Sequence, residues 1–252
     1  MCTVSFIARK NGYALAMNRD EKLSRVAGLP PKFVTSSGRK CINPSEPGGG
    51  TWISLNDAGV TFALINWYSV TARASRDSIS RGKVVIATRT AASAAEAAAA
   101  LAGLPLAQIN PFRLIGVFPG AQEICEWQWN LRRLVCKKHP WRAQQWISSG
   151  FDEPAAQRIR HATFRKACKQ SSFGSLDWLR RLHRSHAPQS GPCSTCMHRA
   201  DAATVSYTEI LVSPRETWMD YCATAPCQHH TNGNRNQRAQ VVIQTCQAGS
   251  VG

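Results

Sequence analysis

The second residue of the chain, Cys2, has the chemistry of a nucleophile that carries its own base. Because cysteine is small, we expect methionine aminopeptidase to remove Met1 and leave a free α-amino group on Cys2. A thiol with a pKa of about 8.5 and an α-amine with a pKa of about 8 then share one residue, so the amine can accept the thiol proton directly or through water. This arrangement predicts a cysteine nucleophile that its own α-amine can activate.

The first elements of the chain are predicted to form a β-hairpin. Thr3–Ala8 and Tyr13–Met17 have the composition of two strands, and Asn11-Gly12 between them is a strong two-residue turn signal. Such a turn pairs positions whose numbers sum to a constant, about 23 here, so the start of the first strand meets the end of the second.

This hairpin brings charged residues back towards Cys2. Arg19 and Asp20 follow the second strand and are expected beside the thiol at one end of a sheet. A guanidinium next to a thiol stabilises the thiolate, which makes Arg19 a candidate catalytic residue. Alternatively, Arg19 and Asp20 form a surface ion pair of little energetic consequence.

The rest of the chain predicts one domain over residues 2–227. Residues 26–50 are rich in Pro, Gly and Ser and are predicted to be a loop, and residues 228–252 a polar, loosely packed tail. The other predicted elements are the strands Thr51–Leu55, Val60–Asn66, Phe112–Phe118, Ile124–Trp129, Leu134–Lys138, Thr204–Val212 and Trp218–Cys222, and helices at 91–101, 154–170 and 175–186. This order is typical of an α+β fold in which helices stack outside antiparallel sheets.

The composition is that of a globular protein, since 43% of the 252 residues are hydrophobic. No apolar run approaches the ~20 residues that a membrane-spanning helix needs, and the first residues lack the features of a signal peptide. We therefore expect a cytoplasmic protein without a membrane span, in which most of the ten cysteines are reduced.

The net charge of +16 is strongly basic. Such a charge can attract nucleic acid, but the sequence has no zinc-finger, RRM or helix-turn-helix signature. The basic residues surround apolar stripes on the two helices predicted at 154–170 and 175–186, which favours solvated helix faces. Nucleic acid is therefore not an expected partner, and the oligomeric state stays open.

Three longer motifs resemble a known family. They are MNRDE at 17–21, GGGTWISLNDAGVTFALIN at 48–66 and CMHRADAATVSYTEI at 196–210. The chain resembles the NRDE family, which is related to the transport and Golgi organisation proteins and opens with Met-Cys. The last motif is also similar to segments of isopenicillin N acyltransferase and choloylglycine hydrolase relatives. The matches run from residue 2 to about residue 227 and so cover nearly the whole chain.

The resemblance implies a four-layer αββα N-terminal-nucleophile hydrolase fold with stacked antiparallel sheets. It implies Cys2 as the nucleophile, supported by Arg19 and Asp20. It also implies Asn66, at the end of a strand, as the oxyanion donor, although Asn66 can alternatively hold a turn. A side-chain N–H there would stabilise the tetrahedral oxyanion by a few kcal/mol.

Two further residues are candidate substrate contacts. Trp67 follows the strand that delivers Asn66 and is predicted to line a substrate pocket, although an aromatic residue there is more commonly part of a core. Relatives carry Asn in a Ser-Asn-Gly loop where this chain has Ser149. Because a serine hydroxyl donates a single hydrogen bond and reaches less far than an amide, Ser149 predicts weaker assistance.

Two functions from different classes follow. The first is an amide hydrolase or acyltransferase that uses the N-terminal cysteine on a small-molecule linear acyl amide and needs no cofactor. The alternative is a non-catalytic ligand-binding or trafficking protein on the same fold, with a role in haem or lipid handling.

In the C-terminal part of the chain, the spacing of cysteine and histidine residues partly resembles that of a zinc site. The motif Cys193-x-x-Cys196-x-His198 precedes further candidate ligands, which are Cys222, Cys227, His229 and His230. However, Cys196 adjoins a strand motif that the resemblance explains without metal, so no metal ligand is expected. A structural role is also expected for His198 and Asp201, because the α-amine already serves as the base.

Overall fold

A computed structural model describes residues 2–74, 77–228 and 238–243, which contain thirteen strands and four α-helices. The strands are β1 Cys2–Arg9, β2 Gly12–Lys22, β3 Leu29–Ser36, β4 Arg39–Ser45, β5 Ile53–Asn56, β6 Thr61–Asn66, β7 Phe112–Phe118, β8 Glu123–Trp129, β9 Leu134–His139, β10 Gln144–Ser148, β11 Ala202–Val212, β12 Thr217–Cys222 and β13 Arg238–Ile243. The helices are α1 Gly82–Thr88, α2 Ala94–Ala102, α3 Glu153–Ala167 and α4 Leu176–Arg184.

The strands form two antiparallel sheets. The first sheet has the order β10-β1-β2-β11-β12-β13, and the second has the order β3-β4-β5-β6-β7-β8-β9. Strand β1 therefore lies inside its sheet, between β10 and β2, while the hairpins of the second sheet follow one another in chain order. The start of β1 is thus held on both sides by backbone hydrogen bonds.

Three apolar clusters give the order of the layers. Val4, Phe6, Leu15 and Ile53 belong to a cluster that draws on both sheets and fills the space between them. Each fully buried side chain of this kind contributes about 1.5–3 kcal/mol relative to an exposed one.

The helices cover the two outer faces of the sheets. Val85 of α1 and Leu101 of α2 pack against the second sheet, whereas Trp178 and Leu182 of α4 pack with Phe164 of α3 against the first sheet. The predicted α+β, four-layer αββα architecture is confirmed.

In the hairpin of β1 and β2, Cys2 lies opposite Arg19, and Arg9 lies opposite Gly12 at the turn. The numbers of the two residues in each pair therefore sum to 21. The predicted sum of about 23 was wrong because the turn is one residue earlier than Asn11-Gly12. Gly12 serves another purpose: its φ is +147°, and a Cβ atom there would lie 2.0 Å from the Val212 carbonyl oxygen. Glycine thus permits the close approach of β11.

The segment 26–50 is not the predicted loop, because β3 and β4 pair within it. Strand β3 is the edge of the second sheet, and most of its side chains are exposed. Pro30 and Pro31 are compatible with this position, since an edge strand need not donate every backbone N–H. The composition of an exposed edge strand therefore resembles that of a loop.

Three other elements differ from the prediction. Helix α1 and strand β10 were not predicted, and neither was strand β13, which lies within residues 228–252 and pairs with β12. The amino-acid pattern of α1 is rich in Val and Ile and is locally more typical of a strand. No helix within the described ranges has the length and apolarity to cross a membrane.

Candidate active site

Cys2 begins β1 between two neighbours, with Ser148 of β10 on one side and Arg19 of β2 on the other. Successive side chains of a strand point to opposite faces, and Cys2 shares its face with Val4 and Phe6, which lie in the core between the sheets. The residue is only 6% exposed. Its thiol therefore lies at the rim of the space between the sheets, where that space opens into a cavity.

The cavity has a volume of about 300 Å³. All four residues predicted as catalytic line it, and they are Cys2, Arg19, Asp20 and Asn66. The first three come from the β1–β2 hairpin in one sheet, and Asn66 comes from the end of β6 in the other sheet. The stacking of the two sheets therefore brings together residues that are far apart in sequence.

The cavity environment keeps the Cys2 thiol protonated. Burial raises its pKa above that of a free cysteine, and the charge of Asp20 raises it further. The positive charges of the chain N-terminus and of Arg19 lower this pKa, as does a hydrogen bond from the backbone N–H of Asp20. Because the rise prevails, the thiol needs a base within reach before it can act as a nucleophile.

Arg19 belongs to a network of ion pairs that forms one wall of the cavity. Its Nη2 atom is 2.8 Å from Glu46 Oε1 and 3.3 Å from Glu21 Oε2. Arg25 bridges the same two carboxylates, at 3.3 Å from Glu21 and 3.2 Å from Glu46. The Arg19 guanidinium also lies over the Trp52 ring, 4.3 Å from its centroid. These contacts hold the side chain of Arg19 in one orientation.

Asp20 uses its backbone and its side chain in different directions. Its backbone N–H reaches the Cys2 thiol, whereas its carboxylate lies 3.2 Å from Nη1 of Arg160 and accepts a 2.6 Å hydrogen bond from the Thr204 hydroxyl. The side chains of Asp20 and Arg160 are both fully buried. Arg160 also donates to Thr3 Oγ1 at 2.6 Å. Asp20 is therefore fixed by α3 and β11 and is not the exposed ion pair considered as the alternative.

Asn18, the first residue of the NRDE tetrapeptide, supports the same strand from the helix side. Its Nδ2 donates to the carbonyl oxygens of His183 and Thr195, each at 2.9 Å. Its Oδ1 is 3.0 Å from His183 Nδ1, and His183 Nε2 is 3.0 Å from Ser5 Oγ. Burial lowers the pKa of His183 to about 3, so this imidazole is neutral and structural.

Asn66 has a side-chain amide that one neighbour orients and that has a second N–H group. Its Nδ2 donates a 2.8 Å hydrogen bond to the Tyr68 hydroxyl. A side-chain amide has two N–H groups, so the second can serve a ligand in the cavity. A donor whose position is fixed before a substrate arrives suits an oxyanion, and this role for Asn66 stays a prediction.

The two predicted substrate contacts lie elsewhere. Neither Trp67 nor Ser149 lines the cavity that contains Cys2. Ser149 is buried, its backbone N–H donates to Glu153 Oε1 at 3.3 Å, and its hydroxyl oxygen accepts from the N–H of Phe151 at 3.3 Å. These contacts order the loop that leads into α3, and a substrate-binding role for either residue stays a prediction.

The sequence prediction missed Arg81. This residue lines the cavity just before α1, donates to the Pro111 carbonyl oxygen at 3.3 Å and interacts electrostatically with Cys2. Burial lowers the pKa of its guanidinium, but an arginine keeps its charge at neutral pH. A single arginine before an unrecognised helix gives no local signal, so only the fold places it beside the thiol.

The predicted structural role of Asp201 agrees with its surroundings. Its carboxylate pairs with Arg199 at 2.8 Å, whereas His198 contacts a different group of side chains. The two residues therefore do not form a catalytic His–Asp pair.

Comparisons with solved structures find the same fold at low sequence identity. Penicillin V acylase from Agrobacterium tumefaciens is 11% identical, with a TM-score of 0.55 over 88% of this chain and 83% of that chain. Two variants of the conjugated bile acid hydrolase from Clostridium perfringens are 10% and 9% identical, with TM-scores of 0.57 and 0.55. They cover 96% and 100% of this chain and 92% and 100% of theirs.

The sequence comparisons identify the family. No curated protein matches the chain significantly. The model of the family Transport and Golgi organisation 2 matches residues 1–156, which include the β1–β2 hairpin and the strand that ends at Asn66. The chain therefore belongs to the Transport and Golgi organisation 2 family and has the fold of the N-terminal-nucleophile hydrolases.

Proposed function

We propose that the protein is an amide hydrolase or acyltransferase that acts on a linear, non-peptide acyl amide, with Cys2 as the nucleophile after loss of Met1. The observation that carries this proposal is the cavity of about 300 Å³, where Cys2, Arg19 and Asn66 meet. The similar structures support it, since they are by name an acylase of penicillin V and a hydrolase of conjugated bile acids.

Acylation begins with transfer of the thiol proton to the α-amine of Cys2. The sulfur then attacks the carbonyl carbon of the amide, and the carbonyl oxygen becomes an oxyanion that accepts a hydrogen bond from Asn66 Nδ2. The C–N bond breaks, and the leaving amine takes the proton from the α-ammonium group. The product is a thioester on Cys2 and a free amine.

Deacylation again uses the α-amine of Cys2 as the base. The α-amine takes a proton from water, or from a second amine, whose oxygen or nitrogen attacks the thioester carbonyl. The C–S bond breaks, the thiolate recovers a proton, and the product is a carboxylic acid or a new amide. Burial raises the pKa of the Cys2 thiol while Met1 is in place, so a base within its own residue would help to deprotonate the thiol once Met1 is removed.

The cavity favours a small substrate. A volume of about 300 Å³ is at the lower end of the ~300–1,000 Å³ of small-molecule sites. The ion pairs of Arg19 and Arg25 with Glu21 and Glu46 balance one another, so Arg81 adds the positive charge that a polar or anionic acyl group would meet.

The decisive experiment measures acyl transfer to Cys2 with p-nitrophenyl acetate. Intact-mass analysis is expected to find Met1 absent, and native protein should release p-nitrophenol in a burst and carry an acetyl group on Cys2. The exposed Cys136 can also react, so Cys2→Ala defines the background. A second control inserts one glycine between Met1 and Cys2, which keeps the thiol but displaces the amine.

The proposal fails if Met1 is retained in full, or if native Cys2 reacts no faster than free cysteine. It also fails if the glycine insertion leaves the burst unchanged, because the α-amine would then not be the base. The non-catalytic alternative predicts the same ligand affinity in native protein and Cys2→Ala, with no acyl adduct on native Cys2. A panel of N-acyl amines then identifies the substrate.

A further inference from the structure

Four side chains outside the cavity converge on one point, and they are His186, Cys196, His198 and Cys227. One nitrogen or sulfur atom from each lies within 4.8 Å of the others. We propose that these four residues bind a Zn²⁺ ion that fixes the loops behind the candidate active site. This inference is independent of the function proposed for Cys2.

The Nε2 atom of His198 has more close polar neighbours than its hydrogen bonds can satisfy. This atom lies 3.1 Å from His186 Nε2, 3.6 Å from Cys196 Sγ and 3.4 Å from Cys227 Sγ. An imidazole nitrogen has either one N–H or one lone pair, so it can satisfy one of these three neighbours. A shared cation among the four atoms satisfies all of them together.

The same distances match tetrahedral zinc. Ligand bonds of about 2.0–2.1 Å to nitrogen and about 2.3 Å to sulfur place neighbouring ligand atoms roughly 3.3–3.8 Å apart. The observed separations of 3.1, 3.4 and 3.6 Å lie at or close to this range. The other three separations among the four atoms are within 4.8 Å, so bringing a cation into the centre requires movements of at most about 1 Å.

The donor set indicates a structural ion. Two cysteines and two histidines are a common ligand set of structural zinc sites, and four protein ligands leave no position for water or substrate. Both cysteines are free thiols. On binding, each thiol releases its proton, and the two thiolates balance the charge of Zn²⁺. The oxygen-preferring cations Mg²⁺ and Ca²⁺ suit this set poorly.

The site revises the expectation that the chain has no metal ligand. Cys196, His198 and Cys227 were among the weak zinc candidates, but His186 was not, because the sequence placed it at the end of the basic, amphipathic helix predicted at 175–186. Cys193 and Cys222 are not members of the four-residue group. His229 and His230 lie outside the described residues.

The ligands come from three segments with little regular structure. His186 follows the end of α4, Cys196 and His198 precede β11, and Cys227 lies in the short 3₁₀ turn Pro226–Gln228. A metal crosslink is most useful in such a region, because binding energy replaces the stability that helices or strands supply elsewhere.

The proposed ion also supports the candidate active site. Met197 lies between two ligands, and its backbone N–H donates to Thr204 Oγ1 at 2.8 Å. The Thr204 hydroxyl in turn donates to the Asp20 carboxylate, whose backbone N–H contacts the Cys2 thiol. Holding residues 196–198 in place thus holds the partner of Asp20.

Metal analysis of the full chain tests the proposal. Protein purified without chelator should contain about one zinc per chain. After chelation, Co²⁺ should give the visible bands of tetrahedral coordination and a thiolate charge-transfer band. Cys196→Ser and Cys227→Ser should lose the zinc, whereas Cys193→Ser, a matched change in the same loop, and Cys2→Ala should retain it.

Two results would overturn the inference. One is native, reduced protein that neither contains stoichiometric zinc nor gives the tetrahedral Co²⁺ spectrum. The other is a Cys196–Cys227 disulfide in protein alkylated directly after lysis. Both measurements use the native chain, so they decide the question even if the serine variants do not fold. A zinc-loaded protein with an unreactive Cys2 would support the metal site and contradict only the proposed function.

Discussion

The two faces of strand β2 carry out different tasks. On one face, Arg19 lies beside Cys2 and lines the cavity. On the other face, the side chains of Asn18 and Asp20 are buried against the helices and contact His183 and Arg160. The period of two in a β-strand makes this division possible within consecutive residues. The comparison teaches that a short charged motif can combine reactive residues with the residues that hold them.

The largest expected effect is on the helix face, from Arg160→Leu. This change removes the Arg160 guanidinium from the buried Asp20 carboxylate, and breaking a buried ion pair typically costs about 3–5 kcal/mol of the free energy of unfolding. Urea denaturation measures this loss. Adding Asp20→Asn to Arg160→Leu should recover part of it, because the buried negative charge disappears while the amide oxygen can still accept from Thr204. A loss under ~1 kcal/mol would show that this face is not a support.

On the cavity face, Asn66→Ala should affect the rate and not the stability. Loss of one oxyanion donor typically slows acyl transfer by about 10²–10³, measured here as the acetylation rate of Cys2. The free energy of unfolding should change by less than ~1 kcal/mol, because Asn66 is partly exposed and, within the part of the chain that the structure describes, its side-chain amide has one hydrogen bond, to the Tyr68 hydroxyl.

The matched control is Asn110→Ala, which makes the same change elsewhere in the cavity lining. Asn110 Oδ1 accepts from the backbone N–H of Ala74, and we expect less than a tenfold effect on the rate. Equal rate losses in both variants would remove the special role of Asn66.

The smallest effect at neutral pH is the pH dependence contributed by His183, which grows only as the pH falls below about 6.5. Burial lowers its pKa to about 3 in the folded protein, whereas the unfolded chain binds the proton near pH 6.5. Between these values the unfolded state holds one more proton, so stability falls as the pH falls, by up to about 1.4 kcal/mol per pH unit. Urea denaturation of native protein and His183→Gln over this window measures the difference; equal slopes would contradict the neutral imidazole.

The sequence predicted the elements that local pattern determines. The segment Phe112–Phe118 and the hairpin arms around 51–66 are either continuously apolar or alternate between apolar and polar residues, and clear turn signals bound them. The structure has strands in both regions. The approach of Cys2 and Arg19 was also predicted, although the register was not. The turn signal at Asn11-Gly12 was misleading because Gly12 meets the Val212 carbonyl, a contact made by a strand about 200 residues away in sequence.

The elements that were missed depend on tertiary contacts. Helix α1 carries Val84 and Val85, which favour strands locally but are buried here against the second sheet. Arg81, just before it, was missed for the same reason. His186, a ligand of the proposed zinc site, was missed because ligands from separate segments have no recognisable spacing in the sequence. Sequence pattern therefore predicted that Cys2 and Arg19 lie together but not which residues other elements bring to them.

The cavity wall of Arg19, Glu21, Arg25 and Glu46 has two positive and two negative charges, each arginine touching both carboxylates. It is therefore an electrically neutral unit, and its polarity depends on all four members. Removing one arginine leaves a net negative wall, and removing one glutamate leaves a net positive wall beside Cys2. A single substitution in this wall would thus give a neutral unit a net charge, whereas removing a whole opposite-charge pair would leave it neutral.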